Sequence, residues 1–336
     1  MKEQLVTKKI LKWYDLNKRS LPWRKNVSFQ KRQYYTLVSE FMLQQTQVAT
    51  VIPYFNRFIK DIPNLKALSK VQNKKLLKIW EGLGYYSRVR NLKKTAQKII
   101  KNFNGKLPDN FEDLISLPGI GNYTANAILS IAFDKPYIPL DGNIERVLKR
   151  YLYLKKERDI QKDNLIKKKS IFGMSSRPSD YAQALMELGA LICKPTNPLC
   201  QRCPISNKCK SLMKKDFKLT KKNKKNINKY FLLKVYKKNQ RYLLIKNTKF
   251  NFLKNLAIFP MEELSKPKNF DKNLNFKMSN MNMNIKIKYV KNTKKYQSPH
   301  WINEKKLDNS SIGNIAKFFK KLNLVFLINK YLWFFL

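Results

Sequence analysis

Leu117-Pro118-Gly119-Ile120-Gly121 stands between two stretches with apolar residues at helical spacing, and its reading decides the fold. Two glycines two positions apart permit a tight hairpin whose backbone N–H groups point outward at the start of a helix. Such a hairpin suits a phosphate oxygen, because only glycine lets the backbone approach so closely. Taken alone, the pattern reads equally as a plain interhelical turn. Twenty residues after Gly121 comes Asp141, in Pro139-Leu140-Asp141-Gly142-Asn143-Ile144-Glu145-Arg146-Val147, where it is either one half of an Asp-Gly turn or a fixed carboxylate. The chain has nine glycines, and five of them fall in Gly82-Leu83-Gly84, in the hairpin and at Gly142, which concentrates them where backbone geometry is demanding.

Outward from the hairpin, residues 1 to about 215 read as mostly helical. Ala67–Ile79, Ser87–Asn102, Tyr123–Ala132 and Ser179–Leu191 each carry apolar residues at helical spacing. Lys214–Lys229 is rich in lysine and asparagine and reads as an exposed linker. Beyond it, Tyr230–Tyr236, Arg241–Lys246 and Ile285–Tyr289 cluster β-branched and aromatic residues as strands do, and a helix is expected near Ser311–Leu324. The organisation is therefore a helical domain over 1–213, a linker over 214–229 and a smaller mixed domain over 230–336. No repeat of solenoid period is present.

A length of 336 residues accommodates two cores, and a hydrophobic fraction of 43% excludes disorder as the main state. The formal net charge of +48 points to a polyanionic partner such as nucleic acid. Abundant Lys, Asn, Ile and Phe also fit the codon bias of an A+T-rich genome, so charge alone does not decide the partner. Residues 1–12 lack the apolar run of a signal peptide, and no segment has the roughly 20 apolar residues of a membrane span. Asn323, Asn329 and Lys330 interrupt the nearest one, Leu322–Leu336, which reads as packing. The setting implied is intracellular and reducing, the cytoplasm of a bacterium in association with its nucleoid.

All four cysteines, Cys193, Cys200, Cys203 and Cys209, lie in one C-x6-C-x2-C-x5-C stretch. Four thiolates on short loops can close around one centre, and spacing by itself does not separate a [4Fe–4S] cluster from zinc. The spacing resembles the cluster loop (193–209) of the endonuclease III and adenine glycosylase family, where it holds [4Fe–4S]. The hairpin and Asp141 likewise resemble the helix-hairpin-helix glycosylases. Ser39-Glu40-Phe41-Met42-Leu43-Gln44-Gln45-Thr46-Gln47-Val48, with Leu21-Pro22-Trp23-Arg24 upstream, is similar to the signature of the MutY-type, A/G-specific adenine DNA glycosylases. A few extra residues before Tyr34 lengthen the loop between these two strings.

The resemblance implies a mainly α fold: a two-lobed helix-hairpin-helix glycosylase domain with an iron–sulfur loop, plus a smaller C-terminal α+β Nudix-like domain. It implies a monomer that binds double-stranded DNA and removes adenine mispaired with 8-oxoguanine or guanine. Breaking an N-glycosidic bond builds positive charge on the sugar, so a fixed carboxylate near C1′ is required. The purine also leaves poorly as an anion, so a carboxylic acid must protonate it. Asp141 is the expected stabiliser of the sugar and Glu40 the expected acid, with Tyr123 and Asn143 positioning them. Alone, Glu40 reads as a surface residue of an amphipathic helix. Position 123 bears the Schiff-base lysine in endonuclease III-like enzymes and here is tyrosine, so a monofunctional glycosylase without strand-cleaving activity is expected.

The flipped base leaves a gap, which Gln45 and Tyr85 of Gly82-Leu83-Gly84-Tyr85-Tyr86-Ser87-Arg88 are expected to fill. Helix-end packing is the other reading of Tyr85 and Tyr86. Gly119 and Gly121 are expected at the DNA backbone, with Arg24 and, less specifically, Arg88 and Arg90, which read equally as surface charges. Towards the C-terminus, Asn255-Leu256-Ala257-Ile258-Phe259-Pro260 resembles the family's G-L-W-x-F-P stretch without its Gly and Trp. Tyr296-Gln297-Ser298-Pro299-His300-Trp301 is the nearest match to the loop that reads 8-oxoguanine, which nominates Ser298 and His300. The glutamate cluster of Nudix hydrolases is absent. The resemblance is strong over 10–212 and weak over 228–320. A damaged-DNA binder without catalysis is the alternative function, and intact Glu40 and Asp141 speak against it. An endonuclease III-like enzyme for oxidised pyrimidines is a third reading, opposed by Tyr123 and the Gln44–Gln47 string.

Overall fold

The computed structural model describes residues 5–156, 175–218, 226–252, 257–265, 274–278, 281–290 and 299–303. The chain divides into two compact units, one of residues 1–72 with 88–221, the other of 73–87 with 222–336. Ser298, the expected helix Ser311–Leu324 and the apolar C-terminal run lie outside the described residues.

The first unit is helical. It comprises α1 (Leu5–Asn17), α2 (Phe29–Leu43), α3 (Val48–Asp61) and α4 (Leu65–Lys70). After α5 (Asn73–Ile79), which belongs to the second unit, follow α6 (Ser87–Asn102), α7 (Phe111–Ile115), α8 (Asn122–Ile131), α9 (Gly142–Leu152), α10 (Pro178–Glu187) and α11 (Lys210–Met213). Polar caps start several of them. Asn64 accepts from the Ala67 N–H at 2.8 Å, Asn110 from Asp113 at 2.9 Å and Asp141 from Ile144 at 2.7 Å; each satisfies a donor that the first turn leaves unpaired.

Two boundaries depart from the sequence expectation. The segment Ala67–Ile79 is two helices, because the backbone turns extended at Val71 (ψ 137°). Leu68 and Leu76 are both buried, so the apolar period runs across a break it does not reveal. The helix expected to reach Leu191 stops at Glu187 and continues as a π-turn, Leu188–Ile192, closed by the Cys193 N–H on the Leu188 carbonyl at 2.8 Å.

Packing places these helices around two walls. Ile10 and Tyr14 of α1, Ile144 and Leu148 of α9, and Tyr181 and Leu185 of α10 share one core, against which Cys193, Cys203 and Cys209 are packed. Helix α2 buries Leu37, Val38 and Phe41 and lies on α3 and α8. Each such side chain contributes about 1.5–3 kcal/mol on burial, which fixes α2 and α9 firmly enough to carry chemistry on their open edges.

The second unit is a sheet structure. In one sheet the order is β5 (Met261–Leu264), β1 (Ile227–Val235), β7 (Met281–Tyr289), β6 (Leu274–Met278). Strands β1 and β7 run parallel with Phe231 opposite Ile285, whereas β5 and β6 are antiparallel to their neighbours. Phe231, Leu233 and Val235 alternate into the interior, as a half-buried strand requires. In the other sheet β3 (Arg241–Lys246) pairs with β2 (Lys237–Lys238), β4 (Ala257–Ile258) and β8 (His300–Asn303). Strand β1 begins at Ile227, inside the stretch read as linker. Among the described residues no helix is long and apolar enough to cross a membrane.

Candidate active site

Residues of α2 and of the first turn of α9 line a cleft of about 830 Å³ in the first unit. Glu40, Tyr123, Asp141, Asn143, Arg24 and Gln45 all line it. Glu40 projects from α2 and is 4% exposed; Tyr123, on the first turn of α8, hydrogen-bonds its carboxyl. The Oε2 atom of Glu40 is buried without a hydrogen-bond partner among the described residues. Burial pushes the Glu40 carboxyl up to about 7, the charge of Asp141 adds to this, and the Tyr123 bond and Arg24 oppose it. Burial and the two neighbouring carboxylates hold the Tyr123 hydroxyl well above its ordinary value, so it remains a donor.

Asp141 is the N-cap of α9. Its Oδ1 accepts from the Ile144 N–H at 2.7 Å and its Oδ2 from the Asn143 amide at 2.9 Å. Burial raises this carboxyl as well, against the backbone N–H groups of Ile144 and Asn143 and the Asn143 side chain. The two acids thus differ in kind. Asp141 has both oxygens hydrogen-bonded at a helix N-terminus, which favours the anion, whereas one oxygen of Glu40 has no donor and favours the proton.

Arg146, one turn into α9, fixes the Asn143 amide. Its Nη2 donates to Asn143 Oδ1 at 2.8 Å and to the Gly189 carbonyl at 2.7 Å, and its Nε donates to the Cys193 carbonyl at 2.6 Å. Arg150, a further turn along, reaches the Lys194 carbonyl at 2.6 Å and Cys193 Sγ at 3.5 Å. Helix α9 therefore joins the cleft to the cysteine loop. There Cys193, Cys200, Cys203 and Cys209 all line one small cavity of about 30 Å³ with Ile192, Leu212 and Phe217. The four thiols are unpaired, and burial pushes Cys203 up to about 12 with the neighbouring cysteines adding to it. Among the described residues no three of His, Cys, Asp and Glu converge as a single-ion site.

The hairpin is built as its glycines imply. Gly119 has φ +83°, and a Cβ there would lie 2.9 Å from both Phe41 and Asn91. Its neighbours are anchored: Thr95 donates to the Pro118 carbonyl at 2.8 Å and Gln44 to the Gly119 carbonyl at 3.3 Å. Gly121, the N-cap of α8, is different, because a Cβ there would meet nothing within 4 Å. Gln45 is exposed with φ 57° just past the end of α2, whose last carbonyls receive the Arg88 guanidinium. Arg88 is buried in that role, which rules out the surface position considered for it.

Arg24 also sits inward. Its Nη1 pairs with Glu187 at 2.9 Å, and its Nε is buried without a partner among the described residues. Arg19 forks onto the same Glu187 with two bonds of 2.8 Å. The sequence reading missed Arg19, Glu187 and Gly189. The available signal was a lone glutamate next to the apolar positions Leu185 and Leu188, shortly before Cys193. Tyr85 and His300 belong to the second unit, both exposed; Tyr85 lies in a turn with φ 48° and His300 opposite Leu244 on β8.

Residues 38–170 match the family described as HhH-GPD superfamily base excision DNA repair protein. An adenine DNA glycosylase of Buchnera aphidicola subsp. Baizongia pistaciae is 42% identical over 75% of this chain and 72% of its own length. The chain belongs to the adenine DNA glycosylase family. The similarity spans nearly all of it in a second relative, the adenine DNA glycosylase of Buchnera aphidicola subsp. Acyrthosiphon pisum, at 34% identity over 96% of this chain and 84% of that one. The human adenine DNA glycosylase is 41% identical over 60% of this chain. A thermostable thymine-DNA glycosylase structure aligns with TM-score 0.56 at 25% identity, covering 62% of this chain and 95% of that one. A non-covalent endonuclease III–DNA complex aligns with TM-score 0.52 at 22% identity over 64% and 98%, a likeness of fold. In a chain of this family, Glu40 and Asp141 line one cleft.

Proposed function

We propose that this chain excises adenine from duplex DNA, at mispairs with 8-oxoguanine or guanine, as a monofunctional glycosylase of base excision repair. The observation that carries the reading is the pair of unlike carboxyls in one cleft, Glu40 buried and proton-holding, Asp141 capped and anionic. Once the adenosine is turned out of the helix into the cleft, Glu40 gives its proton to a ring nitrogen of the base. The C1′–N9 bond breaks with its electron pair going to adenine, and Asp141 stabilises the cation left on the sugar. Water then adds at C1′, its proton passes to solvent or back to Glu40, and adenine and an abasic site are the products.

Tyr123 and Asn143 position the acids. Gly121 presents the α8 N-terminus to a phosphate, while Gln45 and Tyr85 take the wedge role. Residues 230–336 are the Nudix-like reader of the opposite base, with His300 its candidate contact and Ser298 outside the described residues. The functional halves are the helical domain over 1–213 and the smaller domain over 230–336; the compact units differ from them, since 73–87 groups with the second and its first strand starts at Ile227. The enzyme works as a monomer on the DNA of the cell. Cys193, Cys200, Cys203 and Cys209 would hold a [4Fe–4S] cluster; four soft sulfur donors on one apolar cavity suit it. Bound there, it would brace the loop on which Arg146 and Arg150 rest, and no bond-breaking step needs it.

The test is single-turnover release of adenine from duplexes with adenine opposite 8-oxoguanine, guanine or thymine. Fast release from the first two and little from the third supports the reading, whereas binding to all three without release leaves a damaged-DNA binder. Among the described residues, the cleft lining contains no lysine. Strand breaks are therefore expected only after alkali, and breaks in neutral buffer at the rate of adenine release would refute monofunctionality. The two hairpin glycines should separate in the same assays. Gly119→Ala is expected to lower unfolding stability by about 1–3 kcal/mol in denaturant titrations, through strain and the close Phe41 and Asn91 contacts. Gly121→Ala should cost less than about 1 kcal/mol, the difference between Gly and Ala at a helix N-cap, and weaken duplex binding, since its Cβ would point into open space on the side proposed for the DNA backbone.

A further inference from the structure

Gly189 lies on the π-turn that interrupts α10, between the cleft residues Glu187 and Ala190 and the first cysteine. A Cβ at this position would fall 2.5 Å from Asn143 Cβ, 2.9 Å from its Cα and 3.0 Å from its carbonyl carbon. Two of these are backbone atoms of the first turn of α9, so a side chain could not swing aside and the turn itself would have to move. The conformation of Gly189 is not the reason for glycine here, because its φ is outside the left-handed region. Its carbonyl meanwhile receives Arg146 Nη2, the same nitrogen that binds Asn143 Oδ1. Backbone contact and hydrogen bond thus act on one residue from one point, two residues from Asp141.

We propose that Gly189 is a positioning residue for the glycosylase reaction: by having no side chain, it sets how deep the first turn of α9 sits and hence where Asp141 meets the sugar. The π-turn is part of the device. It ends the regular helix just after Glu187, so that the Gly189 backbone, and no side chain, faces Asn143. π-Turns inside helices recur at functional sites for such re-aiming. The inference rests on the adenine-release reading above.

A double-variant cycle tests it, with Gly189→Ala, Asn143→Gly and the pair, each measured for single-turnover adenine release and for duplex affinity. Gly189→Ala is expected to slow release about a hundredfold, the effect of a shift of about 1 Å at a reacting group, with affinity held. In the Asn143→Gly background, where the Cβ in closest contact is gone but the Cα and carbonyl-carbon contacts remain, the same change should cost about tenfold rather than a hundredfold. The fall of rate with rising pH belongs to Glu40 and should not move in Gly189→Ala. Release at the wild-type rate, or an equal penalty in both backgrounds, would overturn the proposal. If Gly189→Ala does not fold, the double variant should regain folding, and its failure to do so counts against the proposal. If the unaltered protein releases no adenine, the glycosylase reading fails on its own. The cycle is then read in thermal unfolding, where additive effects sink the contact.

Discussion

Glu40→Gln should reduce adenine release by about three orders of magnitude while the protein still binds its duplex, because a positioned acid contributes in that range. Gln keeps the size of the side chain and its bond to Tyr123 but has no proton to give. The pH profile adds a second readout. In the unaltered protein the active form has Glu40 protonated and Asp141 ionised. Release should therefore fall as pH rises through about 7, where Glu40 loses its proton, and fall again in acid as Asp141 gains one. Stability should fall over the same rise in pH. Unfolded, this carboxyl releases its proton near 4.5, whereas folded it holds it to about 7. Between those values the folded state binds the extra proton, so stability declines across the window and stays lower above it, by about 3 kcal/mol. Gln escapes that loss, so above neutrality the inactive variant should melt several degrees higher than the parent. A variant that melts lower and still releases adenine would remove Glu40 from the mechanism.

Asp141→Asn should slow release on the order of a thousandfold with almost no change in unfolding stability. Asn and Asp are equally good helix N-caps, so the bond from the Ile144 N–H persists and α9 keeps its start. What disappears is the negative charge opposite the sugar cation, together with the Oδ2 acceptor of the Asn143 amide. Paired rate and denaturation measurements separate the two contributions. A large stability loss would mean that Asp141 serves the fold first, and an unchanged rate would mean that the cation forms elsewhere.

Much of this site was legible only through whole strings of sequence. Taken singly, the hairpin glycines, Asp141 and Glu40 each read as well as a turn or a surface position; the strings around them, similar to the MutY-type signature, nominated them, and the structure brings Glu40, Tyr123, Asp141 and Asn143 to one cleft. Arg24 was legible as a residue but not in its direction, because its partner Glu187 lies far along the chain. Arg19 and Glu187, 168 positions apart, have no meaning until α10 folds against the N-terminal segment. The π-turn was invisible for another reason: Leu188-Gly189-Ala190-Leu191 has the composition of a continuing helix, and one extra residue in the turn leaves no local mark. In the second unit the strand-forming character of 230–236 was evident, but its parallel pairing with β7 is a long-range choice that β propensity does not encode.

The absence of lysine from the described cleft lining bears on the fate of the product. An abasic sugar carries a latent aldehyde that condenses with amines. A chain this rich in lysine surrounds its own product with potential crosslinking partners. While the sugar stays inside walls of arginine, glutamine, tyrosine and carboxylate, no ammonium of that lining can capture it. The cleft is then a quarantine as well as a reaction vessel: the damaged strand leaves unmodified, and the protein avoids tethering itself to the DNA it has just cleaned.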